Sequence, residues 1–201
     1  MRTFRKRTPR ALALTGAVAA AALLLAACGE DDPMKGTGHG GATPSATVSV
    51  AGDFNDADVM FAQMMIPHHE QALEMAKLAD GRAEDADVKR IVAAVEKAQD
   101  PEIQKMKAWL KGWGKPESAG MGHSMAGMMS EQDMKDLAAA KGKDFDRTFA
   151  ELMIAHHEGA VEMARTEQKD GGNAEAKALA GEVVRAQTAE IAELREILDR
   201  L

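Results

Sequence analysis

The chain is short of several residue types at once. One cysteine, Cys28, stands in 201 residues, so no internal disulfide is available and packing or a ligand has to hold the fold. Tyrosine is absent, and two tryptophans and five phenylalanines face 14 methionines. A core so poor in aromatics uses Met as filler, a bland role that competes with any ligand role for sulfur. No stretch alternates apolar and polar residues at period two, so no sheet is expected. No Glu-x-x-His occurs, which counts against the di-iron carboxylate centres of helical bundles. Basic residues are also few: 25 Lys and Arg against 32 Asp and Glu give a net charge of −7.

Five of those basic residues (Arg2, Arg5, Lys6, Arg7 and Arg10) crowd into the first ten positions, without an acid. An Ala/Leu run follows over residues 11–27, giving the form of a secretory signal. It ends in Leu25-Ala26-Ala27-Cys28, which resembles a bacterial lipobox and implies cleavage before Cys28 and lipidation of its thiol. The alternative is an ordinary signal with a chance cysteine. Export to the outer face of the cell membrane is expected, with acyl chains as the only membrane contact. Without residues 1–27 the balance is 20 basic against 32 acidic, a formal −12. Such a surface excludes nucleic acid as a partner and suits cations. Residues 28–52, rich in Gly, Ser, Thr, Pro and Ala, form a flexible tether. Residues 53–201 are left for one compact domain.

Within that domain the chain writes nearly one phrase twice. MMIPHHEQALEMA spans Met64–Ala76, and MIAHHEGAVEMA spans Met153–Ala164. A constant offset of 88 relates them. It also relates Asp56, Asp58, Phe61 and Ala62 to Asp144, Asp146, Phe149 and Ala150. Downstream it relates Ala98-Gln99 and Glu102-Ile103 to Ala186-Gln187 and Glu190-Ile191. Two repeats are therefore expected, 53–111 and 143–201, joined by a Met/His-rich connection over 112–142.

Each repeat reads as a helical hairpin. Phe61, Met64, Met65, His68, Ala72, Met75 and Leu78 recur at helical spacing, as do Phe149, Leu152, Met153, His156, Ala160 and Met163. First helices are expected over about 56–79 and 144–168, second helices over about 85–109 and 174–198. Aspartates at the starts of the first helices suit capping. Gly81 and Gly171-Gly172 fall where the hairpins turn. Pro67 and Pro101 should kink their helices; the alternative makes Pro67 the start of one. Ser130-Glu131-Gln132-Asp133 predicts a short capped helix to about residue 140. The economical fold is an all-α antiparallel four-helix bundle with an approximate internal two-fold.

Four of the six histidines are His68, His69, His156 and His157. Adjacent helical residues point about 100° apart, and both directions carry apolar neighbours here. All four imidazoles should therefore be at least partly buried, and buried ring nitrogens need partners. Imidazole is the commonest metal ligand and thioether suits soft ions. Met65 precedes the first pair by three and four residues, Met75 follows His68 by seven, and Met153 and Met163 repeat those places. The competing reading is a polar cluster that merely sets helix register. Glu70, Glu74, Glu158 and Glu162 read as a solvated face, with the orientation of a ligating His as the alternative. The connection GMGHSMAGMMSEQDM offers a second candidate, with Met121, His123, Met125, Met128 and Met129 suited to Cu(I) in an oxidising compartment. A greasy docking or linker segment is the alternative there.

Met65-Ile66-Pro67-His68-His69 with Ala72 and Met75-Ala76 resembles the motif of the domain of unknown function 305 family. So do Phe145-Asp146, Phe149 and Met153-Ile154-Ala155-His156-His157-Glu158-Gly159-Ala160. The resemblance runs from about Asp53 to Leu201. It implies a ferritin-like bundle, export and, in some relatives, copper binding and copper tolerance. It places Met65, His68, His69, Met75, Met153, His156, His157 and Met163 at the motif positions. The expected function is copper sequestration or delivery, with another divalent metal as an alternative ion. A metal-oxidising enzyme and a metal-free interaction module are the alternative functions, and homo-oligomerisation is left open.

Overall fold

The computed structural model describes residues 53–118 and 125–201. The expected signal 1–27, the tether with Cys28, and Met121 and His123 of the connection lie outside the described residues. Within them are five α-helices and no strand: α1 Asp56–Lys77, α2 Ala86–Gly112, α3 Glu131–Ala139, α4 Lys143–Asp170 and α5 Ala174–Arg200.

Local chemistry explains the boundaries. Asn55, not an aspartate, caps α1, accepting from the amides of Ala57 and Asp58, while the Asp58 carboxylate returns onto the Asn55 amide at 2.6 Å. Asp85 caps α2 and Asn173 caps α5 in the same way. Ser130 and Asp133 close the capping box of α3. α1 passes unbroken through Pro67 and α2 through Pro101. A helix start at Pro67 is thus excluded. Buried residues on both sides of it, Phe61 and Met65 before, Ala72 and Met75 after, offset the lost backbone hydrogen bond.

α1 packs on α2 and α4, and α5 packs on α4 and α2, closing a ring of four long helices; α3 lies on α4. The apolar core falls into two clusters. One holds Phe61, Met65, Met106, Trp109, Leu110 and Leu179. The other holds Met75, Ile91, Phe145, Phe149, Met153 and Leu194. Along α1 and α4 the histidine pairs fall between the segments that feed the two clusters. No helix among the described residues is long and apolar enough to cross a membrane.

Two buried aspartates set the register. Asp58 of α1 accepts from the amides of Gly172 and Asn173, at the turn between α4 and α5. Asp146 of α4 accepts from the amides of Glu84 and Asp85, before α2. Each carboxylate thus ties the start of one hairpin to the turn of the other, which makes α1 and α4 antiparallel. Burial opposes ionisation of Asp58, but the donors, led by the Asn55 amide, bring its pKa below the ordinary value.

Candidate metal centre

The antiparallel register brings the two motifs level. His68 and His156 face each other with ring centroids 3.8 Å apart and planes 39° apart. His157 lies beside His156, centroid to centroid 6.4 Å. All four imidazoles are buried. The two motifs thus meet in one layer between α1 and α4, with His68 and His156 in direct contact.

His69 and His157 are held in matching ways. Nε2 of His69 donates to Oε2 of Glu102 on α2 at 2.7 Å, and Nε2 of His157 donates to Oε2 of Glu190 on α5 at 2.7 Å. A carboxylate only accepts, so Nε2 carries the proton in each pair and Nδ1 is the ring nitrogen left for a ligand. Neither Nδ1 has a partner. The facing pair is more exposed energetically: both nitrogens of His68 and both of His156 are buried and unpartnered. Burial first, and the neighbouring histidines second, push the His68 pKa down to about 3 and that of His156 to about 2. Both rings are neutral at pH 7, with a lone pair available.

Six buried ring nitrogens without partners cost about 1–3 kcal/mol each in a native fold. A metal would satisfy lone pairs that no protein donor reaches, so the donor set fits one. Its type is constrained. Among the described residues no three His, Cys, Asp or Glu side chains converge as a cage. The motif thioethers belong to the adjoining core: Met65, Met75 and Met153 are fully buried, and half-buried Met163 packs on the cluster that holds Met65. Imidazole with thioether is a soft donor set.

The motif glutamates are the solvated face. Glu70 pairs with Lys107 at 2.8 Å and Glu158 with Arg195 at 2.7 Å, while Glu74 and Glu162 are exposed. Glu102 and Glu190, each 33 residues beyond its histidine, hold the rings instead. Their equivalence at the offset of 88 was the available signal, but nothing in helical periodicity aims them at a histidine.

The connection crosses this layer. Gln71 clamps Met129, donating to its carbonyl at 2.9 Å and accepting from its amide at 2.7 Å. At the position equivalent to Gln71 in α4 stands Gly159, where an added Cβ would lie 2.1 Å from the Ala126 carbonyl. The Ala126 carbonyl lies near enough to His68 to favour its protonated form, without reaching hydrogen-bond geometry to either ring nitrogen. Met125, Met128 and Met129 are half-buried in this crossing, not free in solvent.

These features define a class: an all-α bundle whose first and third long helices enclose a layer of buried histidines. The chain belongs to the DUF305 family, whose model, a domain of unknown function, matches residues 58–198. It is similar to a DUF305 protein of Streptomyces coelicolor described as secreted, at 31% identity and TM-score 0.68, covering 72% of this chain and 93% of that one. A DUF305 fragment from Deinococcus radiodurans gives 32% identity and TM-score 0.66 over 73% and 98%. CopM in its Cu(I)-bound form gives 32% identity and TM-score 0.63 over 71% and 96%, and CopM is also solved bound to Cu(II) and to Ag. No curated protein matches the chain.

Proposed function

We propose that this chain is an exported copper-binding protein that sequesters or delivers the metal at the cell surface. The observation that carries the reading is the set of six buried, unpartnered imidazole nitrogens on His68, His69, His156 and His157. CopM, with copper bound in its solved forms, supports copper as the ion. The secreted description of the Streptomyces coelicolor relative supports export. Lipidation at Cys28 is the proposed anchor.

Copper is cargo here, and Cu(I) suits the donors best: neutral imidazole with the thioethers of Met65, Met75, Met153 and Met163. Glu102 and Glu190 keep Nδ1 of His69 and His157 free for the ion. Met125, Met128 and Met129, with Met121 and His123, serve as an auxiliary Cu(I) segment. The test is Cu(I) competition against a chromophoric chelator, with Zn(II) and Cu(II) alongside. Stoichiometric uptake that disappears in His68→Ala/His156→Ala is expected. Unchanged uptake in that double variant would refute the centre.

A further inference from the structure

On one face of the α1–α4 pair lies a cavity of about 530 Å³. Three thioethers line it, Met60, Met64 and Met163. Met60 is 48% exposed and is the one large exposed apolar side chain among the described residues, so it is not core filler. Asp56, Glu162, Glu167 and Asp170 also line the cavity, and no Lys or Arg does. Ala126, whose carbonyl lies near His68, forms part of its wall.

The equivalent face of the other repeat carries different residues. At the offset of 88, Met60 corresponds to Thr148 and Met64 to Leu152. Glu167 corresponds to Ala79 and Asp170 to Arg82. Met163 corresponds to Met75, which is fully buried, while Met163 is half-exposed. The equivalent face of the other repeat is covered by α3, whose Leu137 and Met134 pack with Met75, Leu78 and Leu152, so Met60, Met64 and Met163 line an open cavity where their counterparts are packed away.

We infer that this cavity is a second, outer site for a soft monovalent cation, which captures the ion from solvent and passes it to the buried histidines. The inference rests on the proposed copper function for its second half only. The exposed carboxylates of Asp56, Glu162 and Asp170 raise the local concentration of cations, whereas buried Glu167 keeps its proton at neutral pH and adds no charge, and that rim alone would not discriminate among cations. The thioethers add preference for a soft ion over sodium, magnesium or calcium. Met163 links the two sites, since it lines the cavity and packs on the core cluster that holds Met65.

The experiment is Ag(I) titration of protein carrying ¹³C-methyl methionine and ¹⁵N-labelled histidine. Movement of the Met60 and Met64 methyl resonances with Ag(I), but not with Mg(II), is expected. In Met60→Leu/Met64→Leu, which keeps the apolar volume and the charge, loading of the histidines should slow severalfold while the final affinity is unchanged. Met60 and Met64 methyls that stay still while the histidine nitrogens shift would overturn the outer site and leave the buried centre standing. Methyls that move while the histidines do not would support the outer site and refute both the transfer and the buried centre. An unchanged loading rate in the double variant would overturn the transfer.

Discussion

His69 donates from Nε2 to Glu102 at 2.7 Å, across from α1 to α2, and thereby presents its unpartnered Nδ1 inward. Carboxylates placed this way on ligating histidines commonly change metal affinity by about 10–100-fold when removed. Glu102→Ala should therefore weaken Cu(I) binding by about that factor, and Glu190→Ala likewise. Chelator competition measures it. Glu70→Ala, which breaks only the exposed contact with Lys107, should leave affinity unchanged.

The facing pair trades stability for binding. Replacing His68 and His156 by Leu removes four unpartnered buried nitrogens and keeps an apolar shape. Without metal, the double variant should be more stable by about 1–3 kcal/mol at neutral pH, imperfect packing of Leu offsetting the rest of the gain from the four nitrogens, read by urea unfolding with chelator present. The gap should widen in acid. Both folded pKa values lie below the ordinary 6.5, so below that pH the unfolded chain takes up protons that the native chain refuses. The parent protein should lose stability as pH falls from 6.5 towards 3, and the variant should lose less.

Glu167, near the C-terminus of α4, predicts the opposite slope. It is buried, and burial first, followed by its contact with the Asp58 carboxylate, raises its pKa to about 8. A carboxyl with a raised folded pKa keeps its proton longer in the native state. Its favourable contribution is complete below the ordinary 4.5 and is lost as pH climbs to about 8. Glu167→Gln should remove that slope and stabilise the protein at pH 8 by on the order of 1 kcal/mol or more, as thermal unfolding across pH would show.

Asp58 and Asp146 should behave as structural clasps. Asp58→Ala leaves the buried Asn173 amide and the Gly172 amide without their acceptor. Loss of about 2–4 kcal/mol is expected, and a similar loss for Asp146→Ala. Exposed Asp144→Ala is the control, with a change within about 0.5 kcal/mol.

Gly159 tests the crossing of the connection over the histidines. Alanine is favoured over glycine by about 1 kcal/mol within a helix. Here its Cβ would collide with the Ala126 carbonyl, so the segment around Ala126 and Gly127 has to lift. Gly159→Ala should therefore leave global stability within about 1 kcal/mol while the Met129 amide, bonded to Gln71, exchanges faster with deuterium. An unaltered Met129 amide would show that the crossing does not depend on this close approach.

Helix periods, caps and the offset of 88 are local properties. They told where the helices lie, and they told that all four histidines turn towards apolar neighbours. The short helix after Ser130 was equally legible, because a capping box is complete within four residues. The roles of the acidic residues were not. Asp56 and Asp58 look alike as residues of a helix start, yet Asp56 is exposed and Asp58 is buried against the opposite turn. Glu70 adjoins His69 in sequence and meets Lys107 instead.

The sequence by itself determined an all-α chain of paired hairpins and the face each histidine takes on its own helix, because 3.6 residues per turn sets those directions. Only the tertiary structure decided that His68 meets His156, that Glu102 and Glu190 hold the other two rings, and that Met163 opens onto a cavity while Met75 is sealed. The physical reason is that a helix fixes the azimuth of a side chain, whereas its height against a neighbouring helix follows from packing and from clasps such as Asp58 and Asp146 between residues far apart in the chain.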